Sequence, residues 1–408
     1  MTFPTAEDDA YDIFSPRSRS DHHLLARLRE EHPVYATTVP GWGTRHWFLT
    51  RYADCNGFLR DQRFGRDLHN RLPEDLLAYW PKPPQSEQLL ERHLLGVDPP
   101  DHTRMRGLVH KAFTPRAIQN LQERAQEVAD RLLDEVAGAG ELDLIEHYAF
   151  PIPITMISEM LGVPAADRDL FRGWVQQLFF SAADEAARMA AGMAFIQYMQ
   201  ARIAERRDEP REDILSGLVH ASEDGDQLNP QELLSMVFLL LTAGYETTVH
   251  LIGTGIYLLL THPEQLDLFR AEMDDNAALV QSGLEEIVRF GGPASGGFMR
   301  WAWEDVEIGG QLIRHGDAVT ALLHAANRDP AAFPDPDRFD ITRNPNKHLG
   351  FGAGVHYCLG APLARMEGSI AIPTLLRRLP DLRLAVAPDA VAWRTTGLYG
   401  LQALPVRF

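Results

Sequence analysis

Residues 229–265, NPQELLSMVFLLLTAGYETTVHLIGTGIYLLLTHPEQ, constrain the fold more than any other stretch of this 408-residue chain. Asn229 reads as a helix cap with Pro230 in the first turn, and nothing breaks the helix until about Thr261. At ~1.5 Å per residue such a helix is ~48 Å long, and being apolar nearly all round it is expected to run buried through a large protein. Its longest apolar run, Met236 to Tyr245, is followed at once by Glu246 and then His250, which is too short and too polar for a bilayer span.

The remaining pattern is helical in long segments and strand-like only in short ones. Segments 121–140, 184–207 and 263–275 carry apolar residues at spacings of three and four. Alternation typical of strands is confined to PVYATT and HWFLT near the start, to 306–323 and to the C-terminus. No linker or repeat divides the chain, so the expectation is one domain over 1–408, mainly α with small peripheral β-sheets. A hydrophobic content of 45% is enough for a full core. The balance of 57 acidic against 39 basic residues, a net charge of −18, argues against a nucleic-acid partner. Two cysteines cannot form a disulfide framework, and the start MTFPTAEDDA has no apolar run to serve as signal or anchor. These features read as a cytoplasmic protein with no membrane partner.

One of those cysteines, Cys358, lies in the loop FGAGVHYCLG, among Gly352, Gly354 and Gly360. A space-filling cysteine belongs inside an apolar periodic element, and this one does not. Glycines let backbone approach a flat or bulky group closely and adopt positive φ. The following residues, LGAPLARMEGSIAIPTLLRRL, read as a helix, which puts the sulfur near a helix N-terminus where the thiolate is favoured. Without a Cys-x-x-Cys companion or a histidine cluster it cannot close a zinc site. Two roles stay open on these grounds, a catalytic nucleophile or the single axial ligand of a haem.

The stretch FGAGVHYCLGAPLAR resembles the haem-binding signature of the cytochrome P450 family at Phe351, Gly352, Gly354, His356, Cys358, Leu359, Gly360, Leu363, Ala364 and Arg365. The likeness extends from about residue 20 to the end and is closest to the soluble bacterial members. It implies a P450-like fold with the long central helix crossing the haem, haem b as cofactor, and Cys358 as the thiolate on iron. Phe351 would pack beside the sulfur while backbone N–H groups of the loop tune it. In LEEIVRF, Glu286 and Arg289 would join Arg338 of PDPDRFD in a buried structural triad; by spacing alone the first two make an ordinary i,i+3 pair. His102 and Arg106, four apart at a helix start, together with Arg300 and His356, match the family's partners of the haem propionates. Arg104, Lys111 and Arg116 are a local excess of positive charge on an acidic protein, which reads either as a solvated face or as a docking face for an acidic ferredoxin or flavodoxin-type donor, the electrons coming from NAD(P)H.

Within the long helix, LTAGYETT matches the family's acid–alcohol pair. Ala243 and Gly244 would leave room for O2 against the haem, Thr247 would open the helix ladder locally, and Glu246 would relay protons through water. The plain alternative is a salt-bridged Glu246 and a Thr247 bonded to the preceding turn. The implied activity is insertion of one oxygen atom into an apolar small molecule by a monomeric monooxygenase, as in secondary metabolism of polyketides, terpenoids, steroids or fatty acids. Phe179, Phe180, Leu239, Leu240, Phe298 and Leu398 are the expected substrate-wall residues. The rival readings are a thiolate-haem sensor or carrier, which has no use for a proton relay, and a cysteine hydrolase, which binds no haem.

Overall fold

In the computed structural model the apolar segment is one α-helix, Pro230–Thr261. Its start is a reciprocal capping box: Asn229 Oδ1 accepts the Glu232 N–H at 2.9 Å, and Glu232 Oε2 accepts the Asn229 N–H at 3.0 Å. The structure describes residues 13, 21–38, 45–77, 80, 90–112, 115–180, 185–221, 226–394 and 398–408. The side chains of Arg116, Phe179 and Phe180 lie outside the described residues. Among those described, this is the one helix long and apolar enough to cross a membrane, and 61% of its most apolar window is buried inside protein. The chain is mainly helical, with small sheets, and its contacts divide it into two units.

The first unit comprises residues 1–81, 136–147 and 250–408. It holds a five-stranded sheet in the order Val34–Thr38, Arg45–Leu49, Ala318–Ala321, Arg300–Ala302, Phe64–Gly65, in which only the second and third strands pair in parallel. Alternation along Arg45–Leu49 places its two faces. Phe48 packs with Leu25 and Leu28 of the helix His22–Glu31, while Trp47 and Leu49 pack with Cys55, Phe58 and Leu59 of the helix Tyr52–Arg60. That second packing fixes the C-terminal end of Tyr52–Arg60, whose Leu59 carbonyl serves the site described below. A three-stranded sheet joins Glu141–Asp143, Pro405–Arg407 and Arg383–Leu384, and a hairpin pairs Val306–Ile308 with Gln311–Ile313.

The buried ion network of this unit differs from expectation in one member. Glu286 and Arg289, on the helix Ala277–Gly291, are fully buried and joined by two bonds of 2.7 and 2.8 Å. The third residue is Arg343, whose Nε lies 3.3 Å from Glu286, and not Arg338. Arg338 is exposed and contributes its backbone carbonyl, which accepts from Arg289 Nη2 and Arg343 Nη2. The turn closed by the Arg343 N–H on Asp340 O is what brings the later arginine back to the carboxylate. The Asp340 N–H at 2.9 Å and Asn346 Nδ2 at 3.1 Å complete the donors that a buried carboxylate requires.

The second unit comprises residues 82–135 and 148–249. Phe171, Trp174, Phe195, Tyr198 and Phe238 form an aromatic core with neighbouring ring centroids 5.4–6.0 Å apart. The expected helices are Pro115–Val136, Glu185–Asp208 and, in the first unit, Pro263–Glu272. Arg104 is not available as a docking cation: it donates to Glu232 and, at 3.3 Å, to Asp226, and Arg92 also bonds Glu232. Lys111 is exposed. Of the expected basic patch, Arg104 is thus paired within the unit, while the Arg116 side chain lies outside the described residues.

Candidate active site

Cys358 and Cys55 have opposite environments. The Cys55 thiol is fully buried, donates to Leu49 O at 3.2 Å, and has its pKa pushed up by burial, as befits an inert core residue. Cys358 is exposed. Its loop is held by the Cys358 N–H on Phe351 O at 2.9 Å and by a tight turn at Gly354–His356. Gly352 and Gly354 have φ of +71° and +72°, which side-chain-bearing residues rarely adopt. A Cβ on Gly354 would lie 2.5 Å from Leu59 O and 3.1 Å from Arg60 Cα, so a bare backbone is also required by close approach. At Gly360, which caps the helix Ala361–Arg378, a Cβ would meet nothing within 4 Å. The loop therefore presents a thiol two residues before a helix N-terminus, beside open space.

Around this loop the first unit supplies cationic and aromatic groups. Arg300 is buried, stacks over the Phe58 ring at 5.4 Å and donates from Nη1 to the same Leu59 carbonyl at 3.1 Å. His356 is half-buried. Of the expected substrate-wall residues here, Leu398 is half-buried and Phe298 is exposed, with the Arg66 guanidinium 4.8 Å from its ring.

The second unit carries the other expected residues. His102 is buried and Arg106 half-buried, four apart on the helix Asp101–Ala112. In the long helix Leu241, Tyr245 and Val249 are buried, whereas Leu239, Leu240, Gly244, Glu246 and Thr247 are half-buried and Ala243 is exposed. Positions 240, 243 and 247 share one helical face, so the small residues open space in the middle of an otherwise apolar helix. Thr247 Oγ1 donates to Ala243 O at 2.8 Å and Thr248 Oγ1 to Gly244 O at 3.2 Å. The expected opening of the ladder is absent: the segment is α-helical throughout, and these hydroxyls supplement the ladder in place of interrupting it.

A profile of the cytochrome P450 family matches residues 141–380. Over 405 residues the chain is 44% identical to Cytochrome P450 107B1 of Saccharopolyspora erythraea, covering 98% of this chain and 97% of that one. The chain belongs to the cytochrome P450 family. It is also 42% identical over 394 residues to the mycinamicin IV hydroxylase/epoxidase of Micromonospora griseorubida, covering 95% of this chain and 96% of that one. Among solved structures it is similar to the myxobacterial cytochrome P450 CYP267B1 in complex with myristic acid, with a TM-score of 0.88, 43% identity, and coverage of 98% and 99%. It is a P450 monooxygenase whose cofactor is haem b and whose electrons come from NAD(P)H through a redox partner. The residues fit that group: an accessible thiol on a glycine loop, space at Gly360, and a buried guanidinium at Arg300.

Proposed function

We propose that this P450 is a haem-thiolate monooxygenase that hydroxylates or epoxidises an apolar small molecule of secondary metabolism, with electrons from a ferredoxin or flavodoxin-type donor. The observation that carries this reading is the exposed Cys358 thiol, held by its own N–H on Phe351 O just ahead of the helix Ala361–Arg378. Haem b, when bound, supplies an iron that accepts electrons and O2 and delivers one oxygen atom to a C–H bond or an alkene.

In this reading Cys358 would hold the haem iron through its sulfur, near a helix N-terminus that favours a thiolate. Arg300 and His356, and for their part His102 and Arg106, would hold the propionates, whose burial is costly without charge-assisted partners. Phe351, Gly352 and Gly360 shape the loop, and Ala243 and Gly244 keep one surface of the long helix low. Glu246 relays protons through water, and Thr247 fixes the last hydrogen bond of that relay, having a hydroxyl that can turn from Ala243 O. Leu239 and Leu240, on the face of Ala243, line an apolar substrate, with Phe298, Leu398, Phe179 and Phe180 as further wall residues. The named ligands of the relatives, myristic acid and mycinamicin IV, support a fatty-acid or polyketide-like substrate. The protein acts as a cytoplasmic monomer in a single 408-residue domain.

The test is turnover with isotopically labelled O2, NAD(P)H and a ferredoxin chain on compounds that displace the resting spin state. One labelled oxygen atom in the product is expected. Thr247→Ala should retain haem and the spin shift while product per NAD(P)H oxidised falls and hydrogen peroxide rises to match. Unlabelled product would refute the monooxygenase reading, and full coupling in Thr247→Ala would reduce that hydroxyl to a helix-bonding group.

A further inference from the structure

Seven residues beyond Cys358, Arg365 joins two residues of the cysteine loop to one carboxylate. Its Nε and Nη2 grip Glu285 Oε1 and Oε2 at 2.6 and 2.9 Å, a bidentate pair between the helices Ala361–Arg378 and Ala277–Gly291. Its remaining terminal nitrogen, Nη1, donates to the Tyr357 hydroxyl at 3.2 Å, at the residue immediately before the cysteine. The guanidinium also lies 4.4 Å from the centroid of the Phe351 ring, and Phe351 is the residue whose carbonyl accepts the Cys358 N–H. At the entry of the loop His348 Nδ1 accepts the Gly350 N–H at 3.1 Å, which leaves its Nε2 to donate to Glu285 Oε2 at 3.0 Å. Burial opposes ionisation of Glu285, but the hydrogen bonds from Arg365 and His348 hold its carboxyl down at about 2, so the pair is charged at neutral pH.

We propose that Arg365, fixed by Glu285, is a positioning residue that sets both the shape of the cysteine loop and the electrostatic environment of its sulfur. The proposal rests on Cys358 being the axial ligand. Both side chains are about a quarter exposed, so the pair contributes little stability as an ion pair. What it supplies is orientation, through a planar fork that lysine cannot reproduce, and a balanced pair of charges next to the loop.

The test is the reduction potential of the haem-loaded, substrate-free enzyme together with the spectrum of its reduced CO complex. Glu285→Gln leaves the Arg365 cation uncompensated, which favours the reduced state, so the potential shifts to more positive values. Arg365→Gln leaves the Glu285 carboxylate uncompensated, and the potential shifts to more negative values. Arg365→Lys restores the charge without the fork or the flat stack: its potential stays near wild type, while the red-shifted CO band converts to the unshifted form faster. Shifts of the same sign in both glutamine variants at wild-type haem content, or no shift in either, would overturn the proposal. If Arg365→Gln fails to load haem, Glu285→Gln and Arg365→Lys decide, since a purely structural clamp predicts lowered haem content in both and, in the haem that remains, no positive shift in the first. A wild-type CO complex lacking the red-shifted band would instead refute the ligand assignment on which the proposal rests.

Discussion

Glu367 is a carboxyl with no charge partner among the described residues, in the interior of the helix Ala361–Arg378, and its substitution gives a signed, pH-dependent prediction. It is 1% exposed, Oε2 has no hydrogen-bond partner among the described residues, and desolvation alone raises its pKa to about 8 from the ordinary 4.5. A raised folded-state value means that the group costs nothing below the unfolded-state value, destabilises the fold progressively as pH rises between the two values, and adds no further cost above the folded one. At ~1.4 kcal/mol per unit, the penalty reaches roughly 4 to 5 kcal/mol near pH 8, with about 3.5 kcal/mol of it developing above pH 5. Glu367→Gln keeps the shape and removes the titration. Thermal midpoints of wild type and variant, measured from about pH 5 to about pH 8, should therefore diverge, with the variant increasingly the more stable; carboxylates common to both cancel in the difference. A gap that does not change with pH, or a variant less stable at the upper end, would show that Glu367 is ionised and solvated in the fold and would refute the argument.

Arg343→Ala should cost about 3 to 5 kcal/mol in denaturant unfolding because it strips a donor from a buried carboxylate, whereas Arg338→Ala should fall within about 0.5 kcal/mol of wild type. Equal effects would restore Arg338 to the triad. Gly354→Ala should lower the thermal midpoint, since a positive φ costs about 1 to 3 kcal/mol before the approach to Leu59 O is counted. Gly360→Ala meets no packed neighbour within 4 Å among the described residues and should spare the fold while reducing haem occupancy, measured by haem content per protein.

The long helix was legible because its cap, its first-turn proline and its unbroken apolar run all lie within one local stretch. Local signals also marked the strands Val34–Thr38 and Arg45–Leu49 and the loop around Cys358. Helix ends were less legible: segment 121–140 begins earlier, at Pro115, and stops at Val136, short of the glycines. What could not be read were pairings set by the tertiary fold. Arg338 and Arg343 are five residues apart, and only the turn between them decides which reaches Glu286. Arg104 looks like a surface cation until Glu232, 128 residues away, is brought against it. Glu285 and Arg365 are 80 residues apart and carry no shared motif. Glu367 stands in the polar-looking run ARMEGS, from which burial cannot be inferred.

The central claim, that Cys358 ligates the haem iron, is tested most directly by the CO complex of the dithionite-reduced protein in three forms: wild type, Cys358→Ser and Cys55→Ser. Wild type and Cys55→Ser should both show the strongly red-shifted Soret band of thiolate ligation, since Cys55 is a buried core residue bonded to Leu49 O. Cys358→Ser should lack it. A red-shifted band that survives in Cys358→Ser, or one that is lost in Cys55→Ser with haem still bound, would contradict the assignment.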